Sequence, residues 1–336
     1  MGLVKPRRGS KPTEEKAMRS AFLDRDSLDQ GDLDLAPLEQ ALPDLRHYER
    51  TGAHEVADRI ADLNAVVVNK VVLDEAALAA APDLRLILVA ATGTNNVDLA
   101  AARQRGITVC NCRGYGTDAV AQHTLGLMLA LSTRLLDYHN AVQAGEWGRS
   151  EQFCLLDYPI QELSGRTLGL VGHGELGQRV AELARALGMT VKVAARPGGG
   201  PPALGRVPLE QLLPQVDVLT LHCPLTDATR NLIGAEALQR LPRHALLINC
   251  ARGGIVDEQA LADALRAGEI GGAGVDVLSE EPPVNGNPLL AGDIPNLIVT
   301  PHSAWGSREA RQRIVMQLAE AARGYLDGHP VRVVSE

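Results

Sequence analysis

Three apolar runs in the last third of the chain each lead into residues able to do chemistry. "ALLIN" (245–249) leads into Cys250-Ala251-Arg252-Gly253-Gly254. "GAGV" (272–275) leads into Asp276 and then Glu280-Glu281-Pro282, and "LIVT" (297–300) leads into Pro301-His302. A guanidinium clamps a carboxylate or a carbonyl oxygen. An imidazole moves a proton near neutral pH, and a carboxylate beside it orients the ring and favours its charged form. Ligands of open α/β sheets bind beyond the carboxyl ends of the strands, so Arg252, Asp276, Glu281 and His302 are the candidates for one site. Glu280 reads as a solvated loop acid, and His123, His173 and His222 are assigned no task.

A fourth segment, "GLVGHGELGQRV" (169–180), places Gly172, Gly174 and Gly177 between an apolar run and an amphipathic stretch. This is the glycine pattern of a dinucleotide-binding turn. The first glycine permits the tight turn, the second lets backbone approach a pyrophosphate, and the third lets helix pack on strand. The helix N-terminus that follows offers N–H groups and the positive end of its dipole to phosphate. An NAD site usually has an Asp or Glu about twenty residues further on, accepting from the ribose hydroxyls. No acid stands between Met189 and Pro208; Ala195 occupies the expected position and Arg196 follows. A guanidinium there can grip a 2′-phosphate that a carboxylate would repel. NADP(H) is therefore expected in preference to NAD(H). The alternative is that Arg196 is a solvated loop residue and both cofactors bind.

The elements that must carry these residues alternate. Between Met18 and Val109, "RSAFL", "AVVVN", "LRLILVA" and "ITVCN" read as strands, and "LDLAPLEQAL", "VADRIADL" and "DEAALAAA" as helices. Continuous apolar strands alternating with helices predict a parallel sheet covered on both faces, a flavodoxin-like unit. A second alternation starts at "GRTLGLVGHG" and runs to "NLIVTPH", holding the glycine turn in its first strand-to-helix connection. Between the two, 117–146 keeps helical periodicity for about eight turns, long enough to bridge domains or subunits. A last helical pattern, "SREARQRIVMQLAEAARGYLDG", follows His302.

"INCARGGIVDEQAL", "GVDVLSEEPP" and "TPHSAW", with "GHGELGQ" upstream, resemble the signature set of the D-isomer-specific 2-hydroxyacid dehydrogenases, and the likeness runs from Met18 onward. It implies an α/β fold of two Rossmann-like domains, a flavodoxin-like substrate domain (18–116 and 303–336) and a doubly wound dinucleotide-binding domain (117–302), with a cleft between them. It further implies a catalytic triad of Arg252, Glu281 and His302, with Asp276 holding the nicotinamide carboxamide. The expected cofactor-binding set is Gly172, Gly174, Glu175, Leu176, Gly177, Ala195, Arg196, Cys223, Pro224, Cys250, Ala251 and Asp276. In "ATGTNNVD" the backbone N–H groups at Thr92 and Gly93 are expected to hold the substrate carboxylate. Lys70 is a crevice or a surface lysine, Trp305 a pocket wall or a packing residue. Arg252 and His302 complete the expected substrate contacts. Formate dehydrogenases of the superfamily pair their histidine with glutamine; Glu281 at that position favours carbonyl–hydroxyl chemistry. The segments "RGYGTDAVAQHT" and "HSAWGS" resemble bacterial glycerate dehydrogenases, also called hydroxypyruvate reductases. The implied reaction is reduction of a small 2-oxo acid, hydroxypyruvate to D-glycerate and glyoxylate to glycolate. Another 2-hydroxy acid, phosphite, or a non-catalytic dinucleotide-sensing, corepressor-like role are the alternatives.

The bulk composition agrees with a globular enzyme. A length of 336 residues predicts about two domains. A net charge of −8 argues against nucleic acid or an anionic membrane as partner. No apolar run is long enough to span a bilayer. Five cysteines without a CxxC pair or zinc spacing, and no signal peptide, predict reduced thiols, no metal site and a cytoplasmic setting. Residues 1–17, polar and of mixed charge, are expected to be a disordered tail. The long helix after Thr117 is expected to make a homodimer through the dinucleotide-binding domain.

Overall fold

Four of the five strands in the first 113 residues are the apolar runs of the sequence. The computed structural model describes residues 18–199 and 203–334; the expected tail at 1–17 lies outside the described residues. The chain divides into two compact units, Met1–Arg113 with Arg311–Glu336, and Gly114–Ala310.

In the first unit, β1 (Arg19–Phe22), β2 (Asp44–His47), β3 (Ala65–Val68), β4 (Leu86–Val89) and β5 (Thr108–Asn111) form a parallel sheet in the order β2-β1-β3-β4-β5. Strands β3 and β4 are buried at every position, so their sequences are continuously apolar. β2 has no such signature. Its sequence, DLRH, lies at the sheet edge and alternates exposed with half-buried residues, which is why the apolar pattern does not reveal it. Asp74 and Asp98 cap the helices Glu75–Ala79 and Leu99–Gln104, accepting from Ala77 N (2.8 Å) and Ala101 N (2.9 Å). The last helix, Arg308–Leu326, brings Arg311 onto Asp32 through a two-pronged ion pair of 2.8 and 2.7 Å. Beyond it, Val334 N–H donates to Val109 O (2.8 Å) and Asn111 N–H to Arg332 O (3.1 Å), closing the β5 edge with an antiparallel segment.

In the second unit, β6 (Thr167–Val171), β7 (Thr190–Ala194), β8 (Arg206–Val207), β9 (Val218–Leu221), β10 (Leu246–Asn249), β11 (Gly272–Val275) and β12 (Leu297–Val299) are all parallel, in the order β12-β11-β10-β9-β6-β7-β8. From β8 this reads 3-2-1-4-5-6, the doubly wound order, with one further strand at the far edge. Its direction reverses between β6 and β9, where such sheets bind ligands. The predicted helix over 117–146 is three helices, Thr117–Ser132, Leu135–Gln143 and Glu146–Arg149. Arg134 (φ +55°) and Gly145 (φ +74°) adopt left-handed conformations that interrupt it, while the apolar spacing carries on across the breaks. The first of the three packs on the glycine-loop helix and on β10 and β11, so it is a covering element of this sheet. Among the described residues no helix is long and apolar enough to cross a membrane.

At the reversal point His222 follows β9 with Nε2 2.9 Å from Thr220 Oγ1, while its Nδ1 is buried with no partner among the described residues. Burial pushes its pKa down from 6.5 to about 4. As pH falls the unfolded chain therefore takes up this proton before the folded one, so stability present above pH 6.5 is lost towards pH 4. Denaturant unfolding should show wild type losing about 2 kcal/mol between about pH 7 and about pH 4.5 that His222→Asn does not lose. Parallel pH profiles for the two proteins would remove His222 as the source.

Candidate active site

Five strands of the second unit end level with one another. The register pairs Val171 with Leu221, Leu221 with Asn249, Asn249 with Val275 and Val275 with Val299. The residues leaving the sheet side by side are therefore Gly172, His222, Cys250, Asp276 and Thr300, and the candidate site is built from the loops they begin.

The β10 loop is shaped by Asn249, whose side chain accepts from Ala251 N (3.1 Å) and donates to Arg252 O (3.0 Å). This presents Arg252 as an exposed side chain whose guanidinium also donates to Ala251 O (2.7 Å). Gly253 next to it touches the β11 loop closely; a Cβ there would stand 1.9 Å from Leu278 O. In that second loop Leu278 N–H donates to Glu281 Oε1 (2.8 Å), and Glu281 Oε2 lies 2.6 Å from His302 Nδ1. The expected Glu281–His302 pair is thus formed, and the Arg252 loop packs on the loop that holds its glutamate. Glu280 instead accepts from Asn285 (2.8 Å) and takes no part.

His302 lies in the left-handed region at φ +52°, a conformation that costs a non-glycine residue about 1–3 kcal/mol. Its N–H donates to Asp276 O (2.8 Å) and Thr300 O (3.0 Å). The Asp276 carboxylate is 1% exposed. Its Oδ1 accepts from Thr300 Oγ1 (2.5 Å) and Ser303 N (2.9 Å), and its Oδ2 from Ala304 N (3.0 Å). Asp276 therefore ties down the turn that carries His302, a task the sequence does not announce.

The glycine turn fits a dinucleotide. Gly172 has φ +92°, and a Cβ on it would lie 2.4 Å from His222 O. A Cβ on Gly177 would lie 2.3 Å from Gly172 O, whereas Gly174 faces open space. The twelve-residue helix Glu175–Ala186 begins there with no side-chain cap, leaving its first-turn N–H groups for an anion. The Glu175 carboxylate accepts from Thr117 Oγ1 (2.7 Å) and packs against Gly114. At the end of β7, Ala195 N–H pairs with Val207 O (2.7 Å), Arg196 is exposed, and Arg206 of β8 reaches Ala194 O (3.5 Å). Leu176 is half-buried, Cys223 is buried, and Pro224 O accepts from Thr229 Oγ1 (2.7 Å). Cys250 and Ala251 are buried. Burial pushes the thiols of Cys110 to about 11 and of Cys112 and Cys250 to about 12, so none of these supplies a thiolate. Trp305 stands edge-on to Tyr115 at 6.3 Å.

In the first unit, two strand-end loops are laced together. Lys70 follows β3, and its N–H donates to Asp24 Oδ2 (2.6 Å), with Asn69 N and Val71 N also on that carboxylate. Thr92, beyond β4, is exposed, and its carbonyl accepts from Asn111 (2.7 Å). Gly93 beside it is half-buried, and Asn96 bridges the loops by donating to Val71 O (2.9 Å). Sequence reasoning missed Asp24, one acid among several in a polar stretch, and also Asn111.

A family profile described as D-isomer specific 2-hydroxyacid dehydrogenase, NAD binding domain, matches residues 125–304. A glycerate dehydrogenase of Methylorubrum extorquens is 48% identical over 315 residues, covering 93% of this chain and 98% of that one. A hydroxypyruvate reductase of Blautia hydrogenotrophica is 37% identical over 327 residues, covering 95% of this chain and all of that one, 100%. Among solved structures, an NADPH-dependent glyoxylate/hydroxypyruvate reductase of Sinorhizobium meliloti in complex with NADP and malonate superposes with a TM-score of 0.78 at 29% identity, covering 95% of this chain and 97% of that one. With its doubly wound sheet, its uncapped glycine turn and its paired glutamate and histidine, the chain belongs to the D-isomer specific 2-hydroxyacid dehydrogenase family and is an oxidoreductase that uses a nicotinamide dinucleotide.

Proposed function

We propose that this protein reduces hydroxypyruvate to D-glycerate, and glyoxylate to glycolate, with NADPH preferred over NADH. The observation that carries the reading is the 2.6 Å contact between Glu281 and His302 Nδ1, on loops shared with Arg252. Relatives named for glycerate, hydroxypyruvate and glyoxylate support the substrate. When bound, the nicotinamide supplies the hydride that C2 of the 2-oxo acid accepts. Arg252 binds the keto and carboxylate oxygens and polarises the carbonyl. Glu281 fixes Nδ1, which leaves Nε2 of His302 to deliver a proton to the carbonyl oxygen as it becomes a hydroxyl. Asp276 Oδ2 retains an acceptor position for the carboxamide, beside its bond to Ala304 N.

The rest of the site follows the same reading. Residues 172–177, Cys223-Pro224 and Cys250-Ala251 cradle the dinucleotide, and Trp305 lines the substrate pocket. Lys70, Thr92 and Gly93 make the first unit the one that contacts the substrate carboxylate. Arg196, exposed at the end of a strand with no acid beside it, grips the 2′-phosphate. A homodimer forms through the dinucleotide-binding unit. Eight of the fifteen exposed large apolar side chains among the described residues, from Leu129 to Ile160, lie in its 129–160 stretch, including Phe153 at 90% and Leu156 at 77% exposure. Five free cysteines accord with a cytoplasmic setting.

His302→Ala should lower kcat about 10²–10⁴-fold and leave the NADPH dissociation constant unchanged; wild-type turnover in that variant would end the assignment. Steady-state comparison of the two cofactors with hydroxypyruvate should favour NADPH, and Arg196→Ala should cut that preference by about tenfold or more, the worth of a charge-assisted hydrogen bond. A strong NADH preference in the unmodified enzyme would refute the cofactor reading, and absence of turnover with hydroxypyruvate the substrate reading.

A further inference from the structure

A chain of polar groups, half-buried at His123 and Thr300 and buried at Asp276, runs from the long helix of the second unit to the turn that carries His302. His123, on the helix Thr117–Ser132, has Nε2 3.1 Å from Thr300 Oγ1 and 3.7 Å from Asp276 Oδ1. Thr300 Oγ1 lies 2.5 Å from Asp276 Oδ1. The proton inventory sets the direction. An ionised carboxylate only accepts, so the single hydroxyl proton of Thr300 goes to Asp276. Thr300 must then accept from His123, which holds its proton on Nε2. Hydrogen bonds in such a series polarise one another. At its end, Asp276 takes the N–H groups of Ser303 and Ala304, while its own carbonyl takes that of His302.

We propose that Thr300 and His123 are positioning residues for His302: by aiming the Asp276 carboxylate at the 303–304 amides, they hold the turn that keeps His302 left-handed and its ring on Glu281. Apolar substitutes would fill the same space without directing the carboxylate. The turn would then lose the bonds that sustain φ +52° at His302. The inference rests on His302 as proton donor, but not on the identity of the 2-oxo acid.

The test uses the full chain with NADPH and either hydroxypyruvate or glyoxylate. Thr300→Val should lower kcat about tenfold or more, because small misplacements of a catalytic group are costly, and should raise the solvent deuterium isotope effect on kcat. The dissociation constant of 2′-phospho-ADP-ribose, the part of NADPH without the nicotinamide whose carboxamide Asp276 holds, should stay within about twofold by calorimetric titration, which separates placement of His302 from a general loss of the cofactor site. Thr300→Ser, which keeps the hydroxyl, should restore turnover. His123→Leu should behave as Thr300→Val does, and His123→Gln, which keeps an N–H donor, should stay near wild type. If Thr300→Val does not fold, the two His123 variants decide. Wild-type kcat in Thr300→Val or His123→Leu would overturn the inference, as would a loss of 2′-phospho-ADP-ribose affinity in proportion to the loss of kcat. If the unmodified enzyme turns over neither acid, the substrate reading has failed instead.

Discussion

A buried negative charge is tolerated only where donors surround it, and Asp276 is the place in this protein where that constraint has most effect. At 1% exposure its carboxylate would be prohibitive alone. The Thr300 hydroxyl and the amides of Ser303 and Ala304 satisfy it, and in doing so they bend the chain after β12 into one geometry. His302 inherits a strained backbone from that bend, and its imidazole reaches Glu281 at 2.6 Å. Glu281 in turn is fixed by Leu278 N, in the loop against which Gly253 and hence Arg252 are packed. The glutamate and histidine proposed for proton transfer are thus placed by backbone bonds, with little left to side-chain freedom.

The sheet supplies the second constraint. Because Val171, Leu221, Asn249, Val275 and Val299 stand level, the glycine turn and the loops that carry Arg252, Glu281 and His302 open on the same edge. The contact of Gly172 with the His222 carbonyl keeps the β6 and β9 loops close as they leave the sheet. A side chain at Gly172 would force them apart.

Most of this architecture was legible in the sequence because burial on both faces makes strands such as β3 and β4 continuously apolar. The glycine spacing and the residues at the strand ends carried the site. Elements whose cause is not local were not legible. β2 is a polar edge strand and β8 is two residues long, so neither has a pattern to read. The break at Arg134 is one left-handed residue, and helical periodicity passes straight through it. The His123–Thr300–Asp276 series joins residues up to 177 positions apart, and spacing alone cannot show such a meeting.

The segment that seals β5 comes from beyond residue 330, after the whole of 114–310. During synthesis the dinucleotide-binding sheet can therefore be complete while the first sheet still exposes a strand edge and awaits the helix that anchors on Asp32. An edge of that kind is a template for mispairing, and here the interval in which it stands open is set by gene order. Nascent chains of this protein thus carry an open strand edge in the third that is translated first until the last residues arrive.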